Sequence, residues 1–486
     1  MKVNLGYLGL LLGLSGCVLG PDYHEPTPAI PANWQAEQGT DLQRIAPEDL
    51  KKWWQKFADP QLDNLMTQAL QNNFDLKIAL TRVEQSRSER SASHAELFPS
   101  LSLSASPQRN VNPFPGLAPG LRYNQFQLGF DAVWEIDLFG RLQRRAEAAD
   151  ANLDVAAEQY SQALVVLTAD LARHYIEYRS LQNQLRIIRS NLAAQQHTLA
   201  LTEKLFKEGI ATRTDLSRLR AQTQTIAAQI PDLEAGIAGR LSQIEILLGK
   251  APGELAGSLQ QTAAIPSAPG REILSSPADI LRQRPDLRVA ERQLAAATAM
   301  QGAAMAEMYP KISLSAFLGM RNTDLDTLFK SAAFSYTTGA NLVQPLLNFG
   351  RIRAGIDMAK AQHSEAYLGY EKAVLEALQE TETAMTRYLQ EEIRRQTLVV
   401  SVADLQETVH LSERRYQQGV AALLEVLEAQ RELYAGQIQL SQSEAATATY
   451  LIAVYKALGG AGGHEEAPKH QAAITSTAAA DPAVYR

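Results

Sequence analysis

A seven-residue spacing of apolar positions is the strongest pattern along the chain. No proline falls between Arg141 and Glu208, and Leu164, Leu171, Tyr178, Leu185, Leu192, Leu199 and Phe206 recur at every seventh residue, with Leu167, Leu181 and Ile188 on a companion seam. This predicts one continuous helix packed along a coiled-coil seam. Such a helix is on the order of 100 Å long, far beyond the width of a globular domain. A counterpart runs from Arg351 to Gln418, where Leu398, Val402, Leu405, Val409, Ser412 and Tyr416 keep the same spacing. Gly209 and Gly419 follow these segments at the position where a left-handed residue ends a helix. Helical periodicity returns over 214–248 and 422–458, and Pro231 is expected to kink the first of these.

Elsewhere the period drops to two. Phe126, Leu128, Phe130, Ala132, Trp134, Ile136 and Leu138 alternate with Gln125, Gln127, Gly129, Asp131, Glu135 and Asp137, predicting a strand with one apolar and one wet face. Leu101, Leu103 and Ala105 alternate with serines in a preceding strand; Ile312, Leu314, Ala316 and Leu318 form a third, and 334–347 a weaker fourth. The proline-bearing stretch 107–121 and the polar stretch 321–333 read as exposed hairpin loops. Alternation of this kind fits a half-buried sheet or strands that face lipid. No segment offers the roughly 20 apolar residues of a membrane-spanning helix. Four strands cannot close a barrel, and open edges are not tolerated in hydrocarbon, so a spanning sheet requires several copies. Two copies give eight strands with a filled interior; three give twelve and a lumen, which polar Gln125, Gln127 and Asp131 favour.

The order of elements occurs twice. Residues Leu201 to Ile210 align with Leu411 to Val420 at an offset of 210, as Phe139-Gly140-Arg141 does with Phe349-Gly350-Arg351. Phe98-Pro99 meets Tyr309-Pro310 at 211. A unit of this length is too long for a short solenoid repeat, and the chain reads as two copies of one architectural half.

Charge and compartment narrow the function. Against 53 Asp and Glu the 486 residues carry 46 Lys and Arg, a net −7, which leaves no cationic excess for nucleic-acid binding. A single cysteine excludes a disulfide framework. Met1-Lys2, an apolar Leu5 to Leu14 and small Ser15-Gly16 read as an export signal over 1–16. Leu14-Ser15-Gly16-Cys17 resembles the lipobox of bacterial lipoproteins, which implies lipidation of Cys17 as the first mature residue; Val18 in place of Asp implies the outer membrane.

Five ordered motifs then accumulate: Gly20-Pro21-Asp22-Tyr23; Trp53-Trp54 with Phe57 and Asp59-Pro60; Trp134 to Arg141; Arg284-Pro285-Asp286 with Ala290-Glu291; and the two glycine turns. Together with the duplication they resemble the TolC-like outer-membrane efflux proteins, most nearly the NodT-type lipoprotein branch. The resemblance implies a mixed α and β membrane protein. Its expected form is a homotrimer with a twelve-stranded outer-membrane β-barrel, four strands per chain, continuous with a long periplasmic α-helical barrel. It divides the chain into a lipid-anchored and equatorial segment (17–59), a first repeat (60–248), an equatorial connector (249–284), a second repeat (285–458) and a flexible tail (459–486). The expected partners are further copies of the chain, a periplasmic adaptor, an inner-membrane transporter of the resistance-nodulation-division type and outer-membrane lipid, with no nucleic acid. No catalytic site and no cofactor beyond the lipid on Cys17 are implied. The other class that the patterns permit is a structural envelope lipoprotein that bridges the periplasm without conducting.

In this family the helix-turn tips form the periplasmic aperture. By register from Gly209 and Gly419, Asp215, Glu425 and Glu428 match its tip carboxylates and are the candidate gate. Asp215 equally fits a capping box with Thr212. Ala421 stands where some relatives carry an arginine that pairs across the closed aperture, with Arg213 as an available substitute. Leu205, Phe206, Ile210, Ala211, Tyr416, Val420 and Leu423 flank the glycines and are candidates for adaptor docking or for internal packing. The eight histidines are dispersed, with only His464 and His470 near acids in the tail, and Met300, Met305 and Met308 read as packing residues. The glycine run from Gly459 follows a helix, not a strand, and is a helix stop.

Overall fold

The computed structural model describes residues 18–35, 47–111, 122–267 and 283–460. After a 3-10 segment (Pro47–Phe57), the elements in order are α1 (Pro60–Asn72), α2 (Phe74–Ala95), β1 (Ser100–Val111), β2 (Arg122–Ile136), α3 (Arg141–Lys207), α4 (Arg213–Ala227), α5 (Ile230–Leu247), α6 (Pro285–Ala306), β3 (Lys311–Asn322), β4 (Phe334–Val343), α7 (Arg351–Gln417) and α8 (Leu423–Ala457). The two heptad segments are thus single helices of 67 residues each. Cys17, the signal segment, the tail with His464 and His470, and residues 112–121 of the first hairpin loop lie outside the described residues.

The chain forms two compact units. One comprises Arg82–Ala156 and Val289–Lys372 with the residues before Pro28; the other comprises Pro28–Thr81, Ala157–Arg288 and Ala373 onward, so each draws on both halves of the sequence.

The first unit contains an antiparallel sheet in the order β1-β2-β3-β4. Leu103, Phe130, Leu318 and Tyr336 lie in register across one face, with Ala105, Leu128, Met320 and Phe334 in the next row on that face. The opposite face carries Ser102, Asp131, Phe317 and Thr337 in one row, then Ser104, Gly129, Gly319 and Ser335. Phe317 is a large apolar residue on this mainly polar face, and it is buried. Its ring lies flat over Gly129 and Gly319, where an added Cβ would come within 2.6 and 2.9 Å of it. The Arg321 guanidinium, hydrogen-bonded to Gln127, covers the ring at 5.1 Å from its centre. Much of the apolar face is open among the described residues: Leu101 is 70% exposed and Tyr336 73%.

Four strand boundaries differ from those expected. β2 ends at Ile136, short of Leu138, whose N–H turns back to the Ile136 carbonyl at 2.9 Å. Pro107 and the residues up to Val111 belong to β1, where Pro107 faces Phe126; as an edge strand β1 tolerates a residue without an N–H. Arg321 and Asn322 extend β3, and two 3-10 turns (Leu325–Thr327, Ser331–Ala333) occupy the rest of that loop. β4 stops at Val343, not Leu347, because Val343 already faces Lys311, the first residue of β3, and β4 has no second partner in this chain.

The residues after the lipobox strap onto this unit. The Leu19 N–H donates to the Phe139 carbonyl at 3.3 Å, Arg144 donates to the Asp22 carboxylate at 2.7 Å, and the Tyr23 hydroxyl donates to Glu291 at 2.7 Å. Burial opposes the Arg144 charge, but the Asp22 and Glu147 hydrogen bonds outweigh it, and the hydrogen bond and charge of Arg144 hold Asp22 below its ordinary value. Phe139 stacks on Tyr309 with ring centres 4.8 Å apart, whereas Phe98 and Phe349, at the equivalent places in the other halves, are 69% and 93% exposed. Met300 and Met308 are 45% and 57% exposed, and Met305 is half-buried.

In the second unit the core gathers Trp53, Phe57, Leu62, Met66, Leu171, Tyr175, Ile176, Leu451 and Tyr455, with Trp53 stacked on Tyr455 at 5.1 Å. Arg179 is fully buried and has no direct acidic partner among the described residues. It donates to the Tyr175 hydroxyl, Gln182, Gln61 and the Gln261 carbonyl, and Tyr175 in turn donates to Asp59 at 2.8 Å. Arg284 ties the start of α6 to the end of α8, donating to the Ala457 carbonyl at 2.8 Å and to Asp286 and Glu380 at 2.7 Å each. The return over 214–248 is two helices instead of one kinked helix. Pro231 cannot donate to the Ala227 carbonyl and takes up the first turn of α5, so the helix breaks at Ala228 and Gln229.

Candidate functional site

At both tips the backbone does the same thing 210 residues apart. Gly209 and Gly419 have φ of 75° and 74°, a left-handed conformation that a side chain would strain. The Gly209 N–H donates to the Phe206 carbonyl and Ile210 to Leu205; Gly419 donates to Tyr416 and Val420 to Arg415. These paired bonds satisfy the last carbonyls of α3 and α7. Across each hairpin a second contact repeats: Arg220 meets Glu203 at 2.7 Å, and Gln430 meets Glu413 at 3.0 Å.

The following helices start differently. At α4 the Thr212 side chain accepts from the Asp215 N–H and donates to the Asp215 carboxylate at 2.6 Å, which in turn accepts from the Thr212 N–H. These Thr212 hydrogen bonds, side chain first, hold Asp215 below the ordinary aspartate value. At α8 the cap residue is Ala422, with no side-chain bond. Glu425 instead pairs with Arg415 at 3.5 Å. Arg415, from the end of α7, thus engages a tip carboxylate within the chain.

The two tips meet. A pocket of about 270 Å³ is lined by Leu205, Ile210, Ala211 and Asp215 from one and by Tyr416, Leu423, Leu424 and Leu427 from the other, with Thr202, Arg218 and Leu219. Five of the seven candidate docking residues and one candidate gate carboxylate thus share one site. Phe206 and Val420 do not line it and are exposed, as is the rim residue Ile210. Glu428 lines a neighbouring groove of about 860 Å³ with Arg218, Arg431 and Tyr434, so Arg218 borders both. Sequence reasoning missed Arg218, Leu424 and Leu427. Arg218 is three residues beyond Asp215, and Leu427 four beyond Leu423, the spacings that put residues on one helix face. Glu425 and Glu428 are both exposed, and Glu425 lines neither space.

Heptad positions lose cover toward this end: Leu171, Tyr178 and Leu185 are buried, Leu192 and Leu199 half-buried, Phe206 exposed. An uncovered seam on a helix of this length is a surface for other chains or copies.

The comparisons with known proteins agree with this geometry. The sequence model described as "Outer membrane efflux protein" matches residues 65–250 and again 277–460. The solvent efflux pump outer membrane protein SrpC of Pseudomonas putida is 34% identical over 459 residues, 93% of this chain and 96% of that one. Nodulation protein T of Rhizobium leguminosarum bv. trifolii is 31% identical over 432 residues, 88% and 91% of the two chains. Among solved structures, the outer-membrane channel OprN superimposes with a TM-score of 0.85 at 32% identity, over 93% of this chain and all of that one. CusC gives a TM-score of 0.80 at 27% identity over 91% of this chain. The chain belongs to the outer membrane efflux protein family and is an outer-membrane channel component of an efflux system.

Proposed function

We propose that three copies close their sheets into one twelve-stranded outer-membrane barrel continuous with a periplasmic barrel of long helices, lipid-anchored through Cys17. The observation that carries this reading is a sheet with two unlike faces and two unpaired edges, β1 and β4. Unpaired backbone groups in hydrocarbon are costly, so such a sheet is complete only against further copies. Its serine, glutamine and aspartate face then lines a wet lumen, and twelve strands leave room for one.

The channel works passively as the exit of a tripartite pump, joined through a periplasmic adaptor to an inner-membrane transporter of the resistance-nodulation-division type. It carries small toxic molecules outward. The relatives are named for solvent, cation and pyoverdine efflux, which supports assigning substrate choice to the transporter and not to this chain. The exposed apolar residues around the tip pocket, Ile210, Val420 and Phe206, suit adaptor docking, together with Leu205, Ala211, Tyr416 and Leu423 inside it.

The gate lies at the tips. Threefold symmetry would turn Asp215, Glu425 and Glu428 each into a ring of like charges, which attract cations and repel one another. Single-channel conductance of the mature protein in a planar bilayer tests this against an Asp215/Glu425/Glu428→Ala variant. Small, intermittent openings in the wild type that become large and steady in the variant are expected. Equal large conductance would discard the gate and keep the channel, and silence from both after trimeric insertion would remove the channel.

A further inference from the structure

The apolar face of the sheet carries only two charges, both positive and both at one end. Among the described strand residues that face comprises the odd positions of β1 and the even positions of β2, β3 and β4. It contains leucine, isoleucine, alanine, phenylalanine, methionine, a few neutral polar residues, and no carboxylate. Its charges are Arg109 and Arg122. Arg109 faces Asn124 and Arg122 faces Val111, so the two arginines are diagonal neighbours on adjacent strands. Both are exposed, neither makes an ion pair with a described residue, and the sequence between them, 112–121, contains no acid.

Their height is informative. From Ile136 to Phe126 the apolar run on β2 covers about ten residue steps of ~3.4 Å, which at a strand tilt of ~40° is roughly 26 Å, against ~25 Å for the apolar band of a membrane barrel. Arg109 and Arg122 begin just beyond Phe126, at the hairpin end and away from the long helices. In the barrel reading, on which this inference rests, that end meets the headgroup layer of the outer leaflet. A guanidinium there costs little to place and is matched in geometry to a phosphate.

We propose that Arg109 and Arg122 form a binding site for the phosphate of an outer-leaflet glycolipid, seated with its acyl chains on the apolar face below. The occupant is committed by the pairing of features: cations alone would suit any anion, but cations bordering an exposed band of Leu101, Leu103, Phe130 and Leu318 suit an anion that carries hydrocarbon.

Native mass spectrometry of the full mature chain in detergent tests it, with a bis-phosphorylated glucosamine-disaccharide lipid (lipid A), its enzymatically dephosphorylated form and inorganic phosphate as probes. Wild type is expected to retain the phosphorylated lipid ~30-fold better than the dephosphorylated one. Arg109→Gln/Arg122→Gln is expected to lose that preference, Arg109→Lys/Arg122→Lys to recover most of it, and Arg321→Gln, on the other face, to keep it. Equal retention of the two lipids by wild type, or undiminished preference in the double glutamine variant, would overturn the site. Full competition by millimolar inorganic phosphate would make it a free-anion site and overturn the lipid assignment. Wild type from the same preparation is also scored for conductance: none would remove the barrel and this inference with it, whereas conduction without phosphate-dependent retention would overturn this inference alone.

Discussion

The Thr212 hydroxyl reaches Asp215 at 2.6 Å, and that short contact gives the carboxylate a structural task alongside any part in a gate. Because its folded-state pKa lies below the ordinary aspartate value, the cap is at full strength above that ordinary value, ~3.9, and fades as pH falls through the folded one. Protection of the Asp215 and Leu216 amides, their exchange taken relative to the intrinsic rate at each pH, is expected to fall over that acid range, and Thr212→Ala to remove that pH dependence of protection. A flat profile in the wild type would deny the cap. Ala422, the equivalent cap residue of α8, has no such bond to lose. Arg284 is a different case, buried with three acceptors around it. Arg284→Met leaves the Ala457 carbonyl with only the Thr381 hydroxyl at 3.4 Å and part of two carboxylates without a partner, and is expected to destabilise the fold by on the order of 3 kcal/mol. Chemical denaturation of the solubilised protein reads this directly, and a loss below ~1 kcal/mol would mean that solvent replaces the guanidinium.

At the level of elements, the internal seam predicts the external one. Ile136 of β2 faces Ile312 of β3, Ala132 faces Ala316, and Phe139 stacks on Tyr309. Carried over by the repeat offsets to β4 and β1 of neighbouring copies in the proposed trimer, the same contacts would pair Leu346 with Leu101, Leu342 with Ala105, and Phe349 with Phe98. Leu101, Leu342, Leu346, Phe98 and Phe349 are all exposed in one chain, and the pairing keeps apolar positions on one face. A Leu101→Cys/Leu346→Cys variant is therefore expected to form a reducible covalent trimer in the membrane, while Leu103→Cys/Leu346→Cys, two residues out of register, forms little. The reverse order of efficiency would refute the register. The proposed seam would also account for the end of the expected strand over 334–347 at Val343: alternation in Gln344 to Leu347 is a property of the residues, but a ladder needs a neighbour, and in the proposed trimer that neighbour is in another chain. Helix ends and heptads were readable because glycine, proline and apolar spacing act within a few residues. The Arg179 network and the Arg415 contact with Glu425 were not, since their partners are fixed by packing that no local pattern encodes.

On the scale of the whole molecule, the duplication makes the two tips near-copies, with the same glycine turns and the same cross-hairpin contacts. The break at Ala228 and Gln229 is where the halves part ways. Pro231 interrupts the first return, whereas Ser441, its counterpart, sits buried within an unbroken α8 and accepts from Asn183 at 2.9 Å. In the proposed trimer six hairpins would surround the axis, and one proline per chain reduces a sixfold ring to an alternation of two kinds. A ring-shaped partner built from identical subunits would then find two non-equivalent seats, so its subunits bind with two affinities, or bend to match every second one.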